Sequence, residues 1–415
     1  MASCGSPSAR PWTQIRRRSW TGSPPACCGP RDMCRAHGPY AGYCCRVSAM
    51  RTGSRAERIQ TADGRGMAVQ KRWDPLPRAE VVKALEGGSP ERIPLVRARW
   101  WGEGLGEQYG DRLQELTKYP EDTVTLWANP LNVGAMNLSW SMDSSRRGHD
   151  SRCVISDWAQ LDEFIDKMPS PDSDPDIGAL IEQAEAARAQ DRYILYGWWG
   201  LFFERPWGLR GMENIMTDYH VAPEHVERLH AALAAQYCRY IDWGARELSP
   251  DGFWTSDDLG HQTQLMMRPG TFRDLIKPHY ATVGETLAQH AMHWWLHSCG
   301  DNTEVLGDLA ETGVNAFHPV QKHTMDEVAV AREYGDRMTF LAGIDVQHIL
   351  READPDGVRA EVRFLIDTFD RPEGGMCLGA GNGIVNGTPF ENIEAFLDEA
   401  VTYGAAHRQA YASGA

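Results

Sequence analysis

No apolar run in this 415-residue chain is long enough to span a membrane, so a soluble, enzyme-sized protein is expected. No Cys-x-x-Cys pair is present, which argues against a zinc ribbon. No Gly-x-Gly-x-x-Gly turn follows any strand candidate, which argues against a dinucleotide-binding doubly wound sheet. Basic charge is short as well: 42 Lys and Arg stand against 57 Asp and Glu, for a formal charge of −15. That balance argues against nucleic acid as a partner.

The first 66 residues differ from the rest. They hold 11 Arg, no Lys and three acidic residues, a surplus of +8 that leaves −23 for the remainder. They also hold six of the ten cysteines, and no apolar period of either kind. Residues 1–66 are therefore expected to be an unstructured leader without a functional role. An upstream start codon, with Met67 or Met50 as the true beginning, accounts for its texture better than an organelle-targeting segment or a disordered tail. Residues 67–415 are expected to form one domain. Its four scattered cysteines fit a reducing cytoplasm.

What is present beyond residue 78 is alternation. Arg78–Glu86 reads as a helix, and eight strand candidates follow: Arg92–Val96, Thr123–Trp127, Tyr193–Trp198, Gly252–Ser256, His293–His297, Val314–His318, Met338–Ile344 and Gly375–Leu378. Helical spacing separates the later ones, as in Val226–Trp243 and Asn302–Thr312, with Gly-containing stops at Gly313 and Gly335. This pattern implies parallel strands joined by right-handed crossovers, and eight units predict a (β/α)8 TIM barrel with insertions in the first half. Residues 128–192 carry the extra length and read as an insertion or lid.

In such a barrel chemistry gathers where strands end. The first strand runs into Arg97, Arg99, Trp100 and Trp101, the third into Trp198, Trp199 and Glu204, and the fourth into Asp257 and Asp258. The sixth ends in His318 and Gln321, the seventh in Asp345, and the eighth leads to Asn382. The fifth ends in Leu296-His297-Ser298-Cys299-Gly300, where His297 and Cys299 project from the same face. That pair is half of a zinc site or part of a proton-transfer site. Bland roles compete: one of Asp257 and Asp258 as a helix cap, Asp345 as another, His318 as a packed histidine, the tryptophans as core, and Cys377 as core.

Five segments between Asp251 and Tyr403 resemble the uroporphyrinogen decarboxylase superfamily, and its zinc/corrinoid methyltransferase branch more than the decarboxylases themselves. They are Ser256-Asp257-Asp258-Leu259-Gly260, Leu296-His297-Ser298-Cys299-Gly300, Asn315–Gln321, Ala342–Gln347 and Thr388–Ile393. The resemblance implies the same barrel. It also implies zinc on His297 and Cys299, holding a thiol acceptor as thiolate for methyl transfer with a corrinoid. The family's third ligand, a Cys or His, falls here on Asn382, whose amide is a poor zinc ligand. Asp257, Asp258, His318, Asp345 or Glu204 are the replacements in reach. The Arg-rich motif of the decarboxylases is matched only as the fragment Arg97-Ala98-Arg99.

The leading expectation is a cytoplasmic, metal-assisted methyltransferase. Asp257, Asp258, His318 and Asp345 would be catalytic, with Arg97, Arg99, Trp101, Trp198, Trp199, Gln321 and Asn382 facing substrate. Expected partners are a small-molecule substrate and a corrinoid protein, with no nucleic acid and no membrane; a homodimer is allowed. A cofactor-free decarboxylase of a porphyrinogen or smaller carboxylic acid is the alternative, and a non-catalytic ligand-binding barrel the second.

Overall fold

The computed structural model describes residues 73–414 except 135, 137, 139–140, 143–151 and 174–175. The expected leader, residues 1–66, lies outside the described residues. Eight strands form the central sheet: β1 Leu95–Val96, β2 Thr123–Trp127, β3 Tyr193–Trp198, β4 Gly252–Ser256, β5 His293–His297, β6 Val314–His318, β7 Thr339–Ile344 and β8 Met376–Ala380. Their order is β1-β8-β7-β6-β5-β4-β3-β2, and every pairing is parallel. This is the (β/α)8 TIM barrel that the alternation predicts.

The strands read as near-continuous apolar runs because both faces are covered. Inward positions fill the barrel and outward positions meet the helices. Tyr193, Leu195 and Gly197 of β3 share the inner face, whereas Tyr196 and Trp198 pack outward, Trp198 against Tyr237 and Phe253. Helix Pro223–Glu247 extends past both ends of its predicted span. It buries Val226, Leu229, Leu233, Tyr237, Tyr240 and Ile241 on one stripe. Helix Leu306–Glu311 is shorter than the spacing predicts.

The ring closes between β1 and β2 through one carboxylate rather than a strand ladder. Asp122 is wholly buried, and its carboxylate accepts from Leu76 N, Leu95 N and both terminal nitrogens of Arg92 at 2.6–2.7 Å. The Asp122 amide donates to Leu95 O at 3.0 Å. β1 is only two residues long, so this fork stands in for the missing ladder bonds.

The insertion between β2 and β3 contains the antiparallel pair Ser141–Met142 with Arg152–Cys153, and helices Leu161–Asp166 and Ile177–Ala189. Among the described residues no helix is long and apolar enough to cross a membrane. None of Cys238, Cys299 and Cys377 is in a disulfide, and Cys377 is core as expected.

Candidate functional site

Two glycines bring the loops after β4 and β5 into contact. A Cβ on Gly300, whose φ is +81°, would lie 2.3 Å from the carbonyl carbon of Gly260, and one on Gly260 would lie 2.6 Å from Asp301 N. The loops then bond to each other: Gly260 N donates to Cys299 O at 3.2 Å and Leu259 N to Ser298 Oγ at 3.0 Å. Ser298 thus points away from the mouth while its neighbours point in. Cys299 N donates to Asp258 Oδ1 at 2.8 Å, which sets that carboxylate beside the His-x-Cys pair.

Asp258 Oδ1 lies 3.6 Å from His297 Nε2, and Cys299 Sγ lies 3.5 Å from the same nitrogen. The three donor atoms all lie within 4.8 Å of one another. With zinc–ligand bonds of about 2.0–2.3 Å, tetrahedral geometry puts neighbouring donors roughly 3.4–3.6 Å apart. The side chains present therefore fit a three-ligand metal site of mixed N, S and O donors.

The hydrogen bonds behind His297 decide its tautomer. His318 Nε2 is 2.9 Å from Ala380 O, a group that only accepts, so Nε2 carries the His318 proton. The bare His318 Nδ1 then accepts from His297 Nδ1–H at 2.7 Å. His297 Nε2 is left with its lone pair turned toward Asp258 and Cys299. Burial holds both imidazoles below their ordinary range, against the attraction of Asp258 in the case of His297 and reinforced by the Arg99 charge in both. Trp100 stacks on His318 at 4.5 Å between centroids. Burial, and then the Asp258 charge, pushes the Cys299 thiol up, opposed by the Asn382 amide, which donates to Sγ at 3.2 Å.

Beside this cluster, Trp127 and Trp254 flank a cation, and Trp100 and Trp199 pack edge-on against Trp254. The Arg99 guanidinium lies 3.9 Å over the Trp254 ring and donates to Thr125 Oγ1, while its Nε and Nη1 are buried without a partner. Burial pushes this group down to about 9, so it stays charged at neutral pH. Glu204 accepts from Ser256 Oγ, and burial followed by the charges of Asp258 and Asp257 pushes its carboxyl well above the usual range. A cavity of about 220 Å³ opens over Cys299, with Asp258, Gln321, Asp345 and Asn382 in its wall.

The structure separates the residues singled out by sequence. Asp258, His297, Cys299, His318 and Asn382 come together, and Arg99 and Trp199 stand next to them. Asp257 does not face the mouth. It is wholly buried and accepts from the amides of Phe202, Phe203 and Glu204 and from Tyr280 OH, so it holds the start of helix Glu204–Arg210. The expected helix-capping role thus falls to Asp257, for the loop after β3 rather than the next helix, and the catalytic expectation for it is corrected. Trp198 is corrected likewise, because its place in the helix layer takes it away from substrate.

Gln321 accepts from Gly300 N at 2.7 Å and secures that turn while lining the cavity. Arg97 is anchored by its amide on Glu121, and Trp101 is half-buried with its backbone beside Ile384. Asp345 caps its loop through Gln347 N and His348 N. Trp127 and Trp254 were not singled out. Trp254 shares inward parity with Ser256, whose register partner is His297, and that parity was the available signal.

An eight-stranded parallel barrel with titratable side chains gathered at the carboxyl mouth has the architecture of a (β/α)8 enzyme. The uroporphyrinogen decarboxylase (URO-D) family profile matches residues 164–403, more than half of the chain, and the chain belongs to that family. It is 25% identical over 130 residues to a methylated-thiol–coenzyme M methyltransferase of Methanosarcina mazei, a stretch that is 31% of this chain and only 32% of that protein. It is also 25% identical over 329 residues to a uroporphyrinogen decarboxylase of Methylibium petroleiphilum, covering 72% of this chain and 81% of that one. A solved methyltransferase from Methanosarcina mazei shares the fold, with a TM-score of 0.57 at 17% identity over 79% of this chain and 98% of that one.

Proposed function

We propose that this barrel is a metal-assisted methyltransferase that moves a methyl group between a corrinoid and a thiol or methoxylated substrate. The observation that carries the reading is the lone pair of His297 Nε2, held by the His318–Ala380 chain and facing Cys299 Sγ at 3.5 Å and Asp258 Oδ1 at 3.6 Å. His297, Cys299 and Asp258 would hold zinc, which supplies a cation that keeps a substrate sulfur in its nucleophilic, deprotonated form. Asp258 takes the place of the ligand expected at Asn382, and Asn382 serves instead as an N–H donor to Cys299 Sγ.

The rest of the site follows from this chain's own groups. His318 orients His297 and fixes its proton on Nδ1. The tryptophans exclude water and offer flat surfaces to an aromatic or macrocyclic group. Glu204, with its raised pKa, retains a proton at Oε1 or Oε2 that it can return to a leaving oxygen or sulfur. A corrinoid protein is the proposed partner, and a cytoplasmic setting suits free thiols in this position.

The test is elemental analysis of the full chain, together with demethylation of methylcobalamin by thiol acceptors. Zinc content that falls by one equivalent in Cys299→Ser, together with the loss of demethylation, is the expected result. No metal and no demethylation above background would overturn the reading.

A decarboxylase reading draws on a separate observation, the two partnerless buried nitrogens of Arg99, which suit a substrate carboxylate. Carbon dioxide release by metal-free protein, abolished in Arg99→Ala, would favour it over methyl transfer.

A further inference from the structure

A second group of donor atoms lies outside the His297 cluster. His323, on the loop after β6, and Asp345 and His348, on the loop after β7, each bring one donor atom to within 4.8 Å of the other two. His348 Nδ1 is 3.0 Å and His323 Nε2 3.8 Å from Asp345 Oδ2. The two imidazole rings stand 5.3 Å apart and nearly perpendicular, at 87°, both leaning on the same oxygen.

The two oxygens of Asp345 have separate tasks. Oδ1 accepts from Gln347 N at 2.8 Å and His348 N at 3.2 Å, which holds the carboxylate in place and leaves Oδ2 to the imidazoles. The carboxylate is 7% exposed, whereas His323 and His348 are more than half exposed, so a metal can reach them from solvent. Lys322, next to His323 in the chain, is engaged elsewhere: its Nζ lies 3.0 Å from Glu327 and 2.9 Å from Glu361. His323 adopts φ +68°, a backbone conformation that a histidine keeps only when its surroundings hold it there.

We propose that His323, Asp345 and His348 form a second metal site, taking a divalent first-row transition metal such as zinc or cobalt. Two imidazoles and one carboxylate favour these ions over magnesium or calcium, which prefer all-oxygen shells. The ion clips the loops after β6 and β7 together. Three protein donors leave a position for water or an anionic ligand. Asp345 also lines the cavity above Cys299, so the second cation stands at the rim of the space where substrate would enter. The inference is independent of the methyltransferase reading.

The test uses the full chain carrying Cys299→Ser, which removes the sulfur of the first cluster. Cobalt(II) is titrated with absorbance as the readout, and zinc is measured by equilibrium dialysis. One equivalent with N/O-type bands and no thiolate charge-transfer band is expected. In this background His323→Asn, which suits the left-handed backbone, and His348→Ala should each weaken binding by at least the roughly 10–100-fold caused by losing an outer partner of a metal ligand. Unaltered cobalt affinity in both variants overturns the second site, as does a parent that takes up no metal. Failure of the first cluster reads differently: wild type and Cys299→Ser would then bind the same amount of metal with the same spectrum.

Discussion

His293 and His297 begin and end the same strand and face the same interior, yet they have opposite surroundings. At the floor of the barrel, His293 has both nitrogens engaged, Nδ1 with Tyr193 OH at 2.9 Å and Nε2 with Glu86 at 3.0 Å. Trp295 Nε1 completes that network by donating to Tyr193 OH at 3.2 Å. At the mouth, His297 has one nitrogen fixed by His318, while the lone pair of the other faces the Asp258 Oδ1 carboxylate oxygen at 3.6 Å and the Cys299 thiol, only a weak donor, at 3.5 Å. A satisfied network stabilises; a lone pair met only by a weak thiol donor and turned toward a carboxylate keeps its capacity to bind a cation. Residue type and strand parity do not distinguish the two histidines. Their partners do.

The largest expected break of this contrast comes from exchanging each histidine. His297→Ala should remove one equivalent of bound metal and reduce methyl transfer to background while leaving the fold intact. His293→Ala should leave metal content unchanged and lower stability by about 1–3 kcal/mol, the penalty for taking a partner from the buried Tyr193 hydroxyl. Metal analysis paired with denaturant unfolding of both variants checks this, and equal loss of metal in the two would erase the distinction.

The floor has a stronger anchor in Asp122. Asp122→Ala leaves Arg92 as a buried, unpaired cation and unties β1 from β2, with an expected loss of about 3–5 kcal/mol. Urea unfolding measures it. Metal affinity of the folded variant should match the parent, because the fork closes the end of the barrel away from the mouth. A variant that stays as stable as the parent would mean that the ring is held shut by other contacts.

Much of this barrel was legible before the structure. Strand limits for β2 to β6 coincide with the predicted ones because each is a short, largely apolar run with a Gly, Asp or Pro within three residues of its end, and parallel strands buried on both faces leave a strong signal. β1 shrinks to two residues because Pro94 supplies no N–H and Asp122 replaces ladder bonds, a long-range effect that no local pattern carries. The site was legible to the level of the strand ends. Asp257 and Asp258 are adjacent and chemically identical, and only the fold of the loop after β3 turns one into a cap and frees the other. Trp198 and Trp199 differ in the same way, by one step of strand parity. The His318–Ala380 link joins residues 62 apart in sequence through a backbone carbonyl, which leaves no trace in side-chain identity.

That link gives the next prediction. His318→Phe keeps a ring under Trp100 but removes the acceptor for His297 Nδ1–H, so the tautomer is no longer imposed. Metal affinity should fall by about 10–100-fold, in the range found for outer partners of ligating histidines. Competition with a chelator of known affinity reads this out. A parent-like affinity would reduce His318 to a packing residue and bring the mouth closer to the floor in character.

The smallest effect is a pH slope, measured on metal-free protein. Burial lowers the folded-state pKa of His318 far below its value of about 6.5 in the unfolded chain, helped by the neighbouring His297 and Arg99 charges and opposed by the Ala380 carbonyl. Below that unfolded value the unfolded chain binds more protons than the folded one, so stability falls as pH drops and is fully present above it. Between about pH 7.5 and about pH 5.5 the share of one such histidine is about 1.4 kcal/mol, and His318→Phe should lose that much of the slope. His293 at the floor is also held low by burial, but Glu86 pulls it back toward the charged form, so His293→Ala should flatten the slope less. Unfolding midpoints at the two pH values decide between them. If removing the floor histidine flattens the curve as much as removing His318, the mouth is not the more desolvated end of the barrel.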